Sequence, residues 1–287
     1  VLNALLIANA RSGSAAKARR TGVPGCWRPD PREVTADDVR NADLVAFFAG
    51  DGTVQRTLSH LLTSLPPSEV PPIALLPFGT TNMSARGLNR SRRPLDAVAS
   101  LHRAIRSGVY ESGERPLVRV RDGNATAHGF FFGMGVIGEV VERWNRERGA
   151  AVSGNQLRTA LAMLRGLRSV SSTTEIALNG ERRRVYGLLA TTLDRLLFGS
   201  RPYWGAALPG DLRLTWVEGH ARHLLRRAPA LLRGSPRMAE LAGFESCVLP
   251  RISLDLAGPW ILDGEIFHAE RASLTIDRSD PLRWVIL

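Results

Sequence analysis

The sequence predicts an α/β fold over its first 110 or so residues and a β-rich fold after that. Three observations carry this reading. Up to Ile105, short apolar runs alternate with apolar residues at helical spacing. Residues 108–113, GVYESG, form a seam of turn residues. Beyond the seam, strand-like alternation gathers around Asp-Gly and Asn-Gly pairs.

In chain order, residues 2–8 read as a first strand, and NARSGS (9–14) as a polar glycine turn after it. TADDVRNAD reads as a short helix capped by Thr35, followed by a strand at 44–49. Val54, Leu58, Leu61, Leu62 and Leu65 mark one face of a helix. Residues 73–76 are a fully apolar strand closed by Pro77. Leu95, Val98, Leu101 and Ile105 stripe a further helix after Pro94. Fully apolar strands alternating with helices predict a parallel sheet covered on both faces. In the second half, 116–132 reads as a hairpin tipped by Asp122-Gly123, and 173–192 as one turning at Asn179-Gly180. Strands are expected at 212–217, 251–256 and 272–276, a helix at 155–168, and a basic stretch at 222–232. The expected domains are 1–112 and 113–287, with the final residues able to pack back on the first domain.

The chain has 287 residues, enough for two cores, and a formal charge of +11 with Lys17 as its sole lysine. That charge favours anionic partners: phosphorylated cofactors, nucleic acid or an acidic membrane face. Two cysteines exclude a disulfide framework, and no Cys/His spacing suggests zinc. His220 and His223 read as a solvated face. No apolar run approaches the roughly 20 residues of a membrane span, so the chain is expected to be soluble or peripheral. VLNALLIANA imitates a signal peptide but lacks a basic start, and a buried strand is the better reading.

Four stretches carry chemistry. In AGDGT, Asp51 stands between Gly50 and Gly52 at the end of a strand, where open parallel sheets bind ligands. Glycine backbone and a helix N-terminus favour phosphate there, and a cation such as Mg²⁺ would reconcile the carboxylate with it. In PFGTTN, Gly79, Thr80, Thr81 and Asn82 offer hydroxyls and an amide suited to phosphate or ribose. The third, FFFGMGVIGEVVERW, has the local form of a dinucleotide fingerprint, but its surroundings lack the second parallel strand and the acidic residue. An oxidoreductase using GMGVIG is therefore a minor alternative. The fourth, Asp263-Gly264-Glu265, sets two carboxylates two residues apart. Lysine-based phosphate loops are absent.

The order NARSG, AGDGT, PFGTTN and a late LDGE resembles the diacylglycerol kinase catalytic family, which includes bacterial lipid kinases and, more distantly, sphingosine and ceramide kinases. The resemblance implies an N-terminal parallel-sheet α/β domain, NAD kinase-like, with a C-terminal β-sandwich-like domain. It implies ATP and Mg²⁺ as cofactors. Asn9, Ser12, Gly50, Asp51, Gly52, Thr53, Gly79, Thr80, Thr81 and Asn82 would bind the nucleotide. Asp263 would be the general base, with Glu265 beside it and Asp51 as the fallback. Asp51, Glu265 and Asp211 would be metal candidates. Three departures stand out: Ala49 replaces a glycine, Ala10 a proline, and Met83 the Asp that commonly follows G-T-x-N. In place of the family's acidic stretch stands LPGDLRL, with Asp211 alone.

The expected activity is transfer of the ATP γ-phosphoryl group to a lipid hydroxyl; a non-catalytic lipid or nucleotide binder is the alternative. Candidate apolar residues for a lipid are Phe130–Phe132, Met134, Val136, Leu157, Leu161 and Leu164. LLFGSRPYW (196–204) could sit at a bilayer interface or cap a hairpin. The expected partner is a lipid substrate at an anionic membrane surface, and a homodimer is left open. No nucleic acid is expected. The expected location is cytoplasmic and peripheral to the membrane.

Overall fold

The computed structural model describes residues 1–10, 14–91, 93–139, 141–142 and 173–287. Ser12 and the expected helix 155–168, with Leu157, Leu161 and Leu164, lie outside the described residues. The chain divides into two compact units, Val1–Leu117 with Asp280–Leu287, and Val118–Ser279.

The first unit runs β1 (Ala4–Ala8), α1 (Ser14–Arg19), β2 (Cys26–Arg28), α2 (Ala36–Arg40), β3 (Leu44–Ala49), α3 (Asp51–Leu61), β4 (Ile73–Pro77), α4 (Met83–Leu88), α5 (Pro94–Ser107) and β5 (Ser112–Arg115). It is completed by β15 (Leu282–Val285) from far along the chain. The sheet order is β2-β1-β3-β4-β15-β5, parallel throughout except for β5. Leu6, Phe48 and Leu76 face a core shared with Ala18 of α1 and Leu101 and Ile105 of α5. Their chain neighbours Ile7, Phe47 and Leu75 are as deeply buried. Both faces are covered, which is why β1, β3 and β4 read as unbroken apolar runs.

Thr35 caps α2 through a reciprocal capping box with Asp38. One expectation for α5 needs correcting. Its buried residues are Ala97, Val98, Leu101, Ala104 and Ile105, while Leu95 is 78% exposed. At 3.6 residues per turn Leu95 sits about 120° from the centre of that stripe. Two alanines, invisible to a search for large apolar residues, set the face instead. The return of β15 also moves the division of the chain from 112/113. β15 pairs with β4 and β5, and the Leu287 carbonyl accepts from the Arg90 and Ser91 amides, so 280–287 belong to the first unit.

The second unit contains β6 (Val118–Asp122), β7 (Ala125–Gly129), β8 (Phe131–Gly135), β9 (Thr174–Leu178), β10 (Glu181–Thr191), β11 (Arg213–Glu218), β12 (Phe244–Val248), β13 (Arg251–Leu262) and β14 (Glu265–Arg278). They make one antiparallel sheet, β12-β11-β10-β8-β13-β14-β6-β7. β8 and β9 share the lane between β10 and β13: β8 pairs with one half of each, β9 with the other. Val120 of β6 and Leu214 of β11, distant in sheet order, belong to one buried cluster with Phe132, Met134 and Trp260. The sheet therefore curls until its apolar face meets itself. The β9–β10 turn is Asn179-Gly180, both left-handed, as a two-residue hairpin needs. The β6–β7 turn falls one residue later than expected, at Gly123 and Asn124.

His128, on β7 opposite Arg119, is buried beside a carboxylate held by two arginines: Asp277 accepts from Arg119 and Arg121. Burial, then the Arg119 charge, push the imidazole from 6.5 down to about 4. Between those values an unfolded chain takes up a proton that the folded chain refuses, so stability falls as pH drops through that window and is unaffected by His128 above it. His128→Gln should flatten the wild-type decline in Tm between pH 6.5 and 4; identical slopes for the two proteins would contradict this.

Candidate functional site

Three strand ends meet at one edge of the first unit. β1, β3 and β4 are adjacent and parallel, so the segments that follow them emerge together. Asn9 follows β1 and donates from Nδ2 to Thr53 Oγ1 at 3.2 Å. Gly50 follows β3 and is the N-cap of α3, with no capping side chain. The first-turn amides of α3 therefore have no side-chain acceptor, and the helix end is suited to an anion.

The loop after β4 is closed by Asn82, which sits at φ 50°. Its Oδ1 accepts from the Gly79 amide at 2.6 Å, and its Nδ2 donates to the Gly79 carbonyl at 2.8 Å. Asn82 was a candidate nucleotide contact. The structure instead occupies both ends of its amide in shaping the loop, and it is buried. The Thr80 side chain is half-buried and makes no hydrogen bond among the described residues.

The two glycine loops touch. A Cβ on Gly79 would lie 2.3 Å from Gly50 Cα, and a Cβ on Gly50 3.2 Å from Gly79 Cα. Glycine is required here because two backbones cross at van der Waals distance.

Asp51 joins these loops. It is buried, and its carboxylate accepts three bonds from the segment after β4. Thr81 Oγ1 and the Met83 amide donate to Oδ2 at 2.8 and 2.9 Å, and the Ser84 amide to Oδ1 at 2.9 Å. The acid from the first turn of α3 thus serves as the cap of α4, a role the sequence did not suggest. The Met83 and Ser84 amides were also missed, because backbone donors leave no mark on residue type. Three donors claim most of the roughly four acceptor positions of the Asp51 carboxylate, and all three belong to the segment after β4.

In the second unit, Asp263 and Gly264 form the two-residue turn between β13 and β14, at φ 49° and 89°. Asp263 Oδ1 accepts from the Phe130 and Phe131 amides at 3.1 and 2.9 Å, and Oδ2 from Phe130 at 2.9 Å. Its own amide donates to the Phe131 carbonyl at 2.9 Å. The carboxylate is thereby fixed against the corner between β7 and β8. A Cβ on Gly129 would stand 2.8 Å from Oδ2, so this glycine, which sequence reasoning passed over, makes room for the acid. Glu265 opens β14, partly exposed.

Other candidates resolve differently. Asp211 Oδ2 accepts from the Leu208 amide at 2.7 Å, and Oδ1 pairs with Arg278 at 3.1 Å. An arginine on the carboxylate repels a cation, so Asp211 does not fit a metal ligand. Phe130, Phe132 and Met134 are fully buried. Trp204 lies in a core cluster with Met238 and Phe244 and not at an interface. The GMGVIG glycines are packing positions. Gly133 faces Ile137 and Ile261, Gly135 the Tyr186 carbonyl, and Gly138 the Pro259 carbonyl. β8 lies between antiparallel neighbours, which removes the parallel pair that a dinucleotide fingerprint needs.

Two substitutions probe the loop junction by urea unfolding. Gly79→Ala should cost about 1–3 kcal/mol by overpacking. Asp51→Asn should cost about 1–3 kcal/mol, since the new NH₂ opposes donors. Wild-type stability in either variant would refute the contact it removes.

Residues 26–110, from β2 to just short of β5, match the diacylglycerol kinase catalytic domain family. No curated protein matches the chain. Two solved structures from Bacillus anthracis str. Sterne, both carrying a diacylglycerol kinase description, share the fold. One is 16% identical with a TM-score of 0.70, covering 99% of this chain and 95% of its own. The other is 14% identical with a TM-score of 0.66, covering 99% and 97%. Yeast NADH kinase complexed with NADH is 12% identical with a TM-score of 0.53, covering 100% and 84%. Residues 26–110 thus carry the diacylglycerol kinase catalytic domain, and the chain as a whole shares the fold of these structures.

Proposed function

We propose that the chain transfers the γ-phosphoryl group of ATP to the hydroxyl of a diacylglycerol-like lipid. The observation that carries this reading is the junction of three strand ends in the first unit, where Asn9 meets Thr53 and Asp51 locks the α3 start to the loop after β4. That junction presents uncapped helix amides, a hydroxyl and crossing glycines, which suits closely approaching phosphates. Among its described residues it contains no lysine, and dipoles and amides would meet part of the charge on the phosphates.

In this reading the α3 amides, Thr53 and Thr80 hold the triphosphate, and Asn9 orients Thr53. Asp51 and Asn82 keep the loops in place without touching the nucleotide. Mg²⁺, when present, would neutralise charge on the transferring group; with Asp51 occupied by three donors, it would be carried by phosphates, water and, as a candidate, Glu265. Asp263 is the base. As the lipid oxygen bonds to the γ-phosphorus, its proton passes to the carboxylate, and the bond from phosphorus to the β,γ-bridging oxygen breaks to release ADP. Aimed backbone amides hold Asp263 in place, as such a step requires. The expected setting is the surface of an anionic membrane. No helix among the described residues is long and apolar enough to cross a bilayer.

Asp263→Asn separates base from scaffold. Turnover of diacylglycerol with labelled ATP should fall at least about a hundredfold, with nucleotide affinity changed less than about twofold. If affinity falls in step with turnover, Asp263 serves the nucleotide site and not the proton. A melting curve distinguishes both results from loss of the corner at Phe130–Phe131. Absence of transfer by the wild-type chain to any lipid in a mixed extract would overturn the reading.

A further inference from the structure

The basic stretch at 222–232 has a structure that the kinase reading leaves unused. Leu224–Arg233 is a helix that ends at the left-handed Gly234. Its inner side is settled: Ala228 is buried, and Leu224, Ala230 and Leu231 pack on a core of Trp204, Val217, Ala221, Met238 and Phe244. Its outer side is unusual. Leu225 is 49% exposed and Leu232 42% exposed, two of only six large apolar residues so exposed among the described residues. With exposed Pro229 between them they follow i, i+4, i+7, a single outward ridge. Arg226 and Arg233, both exposed, form a second ridge one residue further round.

The charge is one-sided. The 18 residues from Arg222 to Ala239 contain five arginines and no acid. Among the described residues none of Arg222, Arg226, Arg233 and Arg237 pairs with a carboxylate. Exposed Arg201 joins them, since its backbone amide donates to the Leu232 carbonyl at 2.7 Å. Several arginines on the sheet of this unit are matched by contrast: Arg183 by Glu181 and Glu218, Arg184 by Glu175, Arg213 by Asp194.

We infer that this outer face is where the protein docks on a bilayer bearing anionic headgroups, with Leu225 and Leu232 entering the headgroup–acyl boundary and the arginines lying on the phosphates. An apolar ridge beside a basic one on a surface helix is the pattern of an interfacial helix. Duplex nucleic acid would meet the arginines but leave the leucines facing phosphate and sugar. A second copy docking through the same face would oppose like charges across its two-fold axis. This inference rests on the lipid-kinase reading only for its purpose, and is tested without it.

The probe is sedimentation with vesicles of phosphatidylcholine alone or mixed with phosphatidylglycerol. The wild-type chain should pellet with the mixed vesicles only, less as salt rises. Arg226→Glu with Arg233→Glu should weaken binding about tenfold or more. Leu225→Ser with Leu232→Ser should weaken it severalfold while keeping every charge. Arg103→Glu with Arg106→Glu on α5, which makes the same change in net charge on exposed residues, should leave binding within about twofold. The inference is overturned if the wild-type chain fails to pellet, if either helix variant binds like wild type, or if the α5 variant loses as much. It is equally overturned if the helix variants lose duplex DNA retention while vesicle binding stands. Phosphoryl transfer to lipid in detergent micelles reads the kinase separately: vesicle binding without transfer defeats that reading alone, and transfer without vesicle binding defeats this one alone.

Discussion

One buried carboxylate organises the first unit's strand ends. Asp51 leaves β3 already inside the first turn of α3, yet all three of its described bonds go to the neighbouring segment. Without that tie, the loop after β4 would have to satisfy the Met83 and Ser84 amides by itself. Its hydroxyl-bearing residues would then lose their fixed position over α3. The tie works only because Gly50 and Gly79 let the two backbones meet. A buried acid with three donors and two crossing glycines form one device, and a change to any part moves the rest.

The second unit repeats the logic with different parts. Asp263 also accepts three described bonds from backbone amides, and also needs a glycine, Gly129, to approach. In each unit a carboxylate is immobilised against main chain and not against basic side chains. The described arginines form their ion pairs with other carboxylates, such as Asp277, Glu218 and Asp194 in the second unit and Asp38 in the first. Fixing an acid by amides keeps its place without adding a cation that would compete for the same oxygens.

The sequence revealed strands where burial was total and turns where backbone sign demanded it. The apolar runs of β1, β3 and β4 and the Asn179-Gly180 turn were legible for that reason. β2, β5, β12 and β15 were not, because three to five residues with mixed exposure carry no period. The site was half legible. AGDGT and PFGTTN could be read as neighbours at a strand edge, but the direction of Asp51 could not. A side chain facing a ligand and one facing the next loop are spelled with the same letter. Asn82 misled in the same way, since its amide suits a ribose and its own loop equally well.

The return of β15 has a consequence for how the chain is made. The second unit is an insertion within the first, because residues 280–287 lie between β4 and β5 in the first unit's sheet. During synthesis β4 emerges about two hundred residues before its neighbour, and until β15 arrives one side of β4 is an open, wholly apolar edge. Such an edge templates pairing with other chains. The second unit holds its own core and can close first. The first unit is then the last to finish, sealed by Trp284 as its indole reaches the Arg115 carbonyl at 3.0 Å. A nascent chain therefore completes the sheet that carries AGDGT and PFGTTN only after the whole β-rich unit has been made.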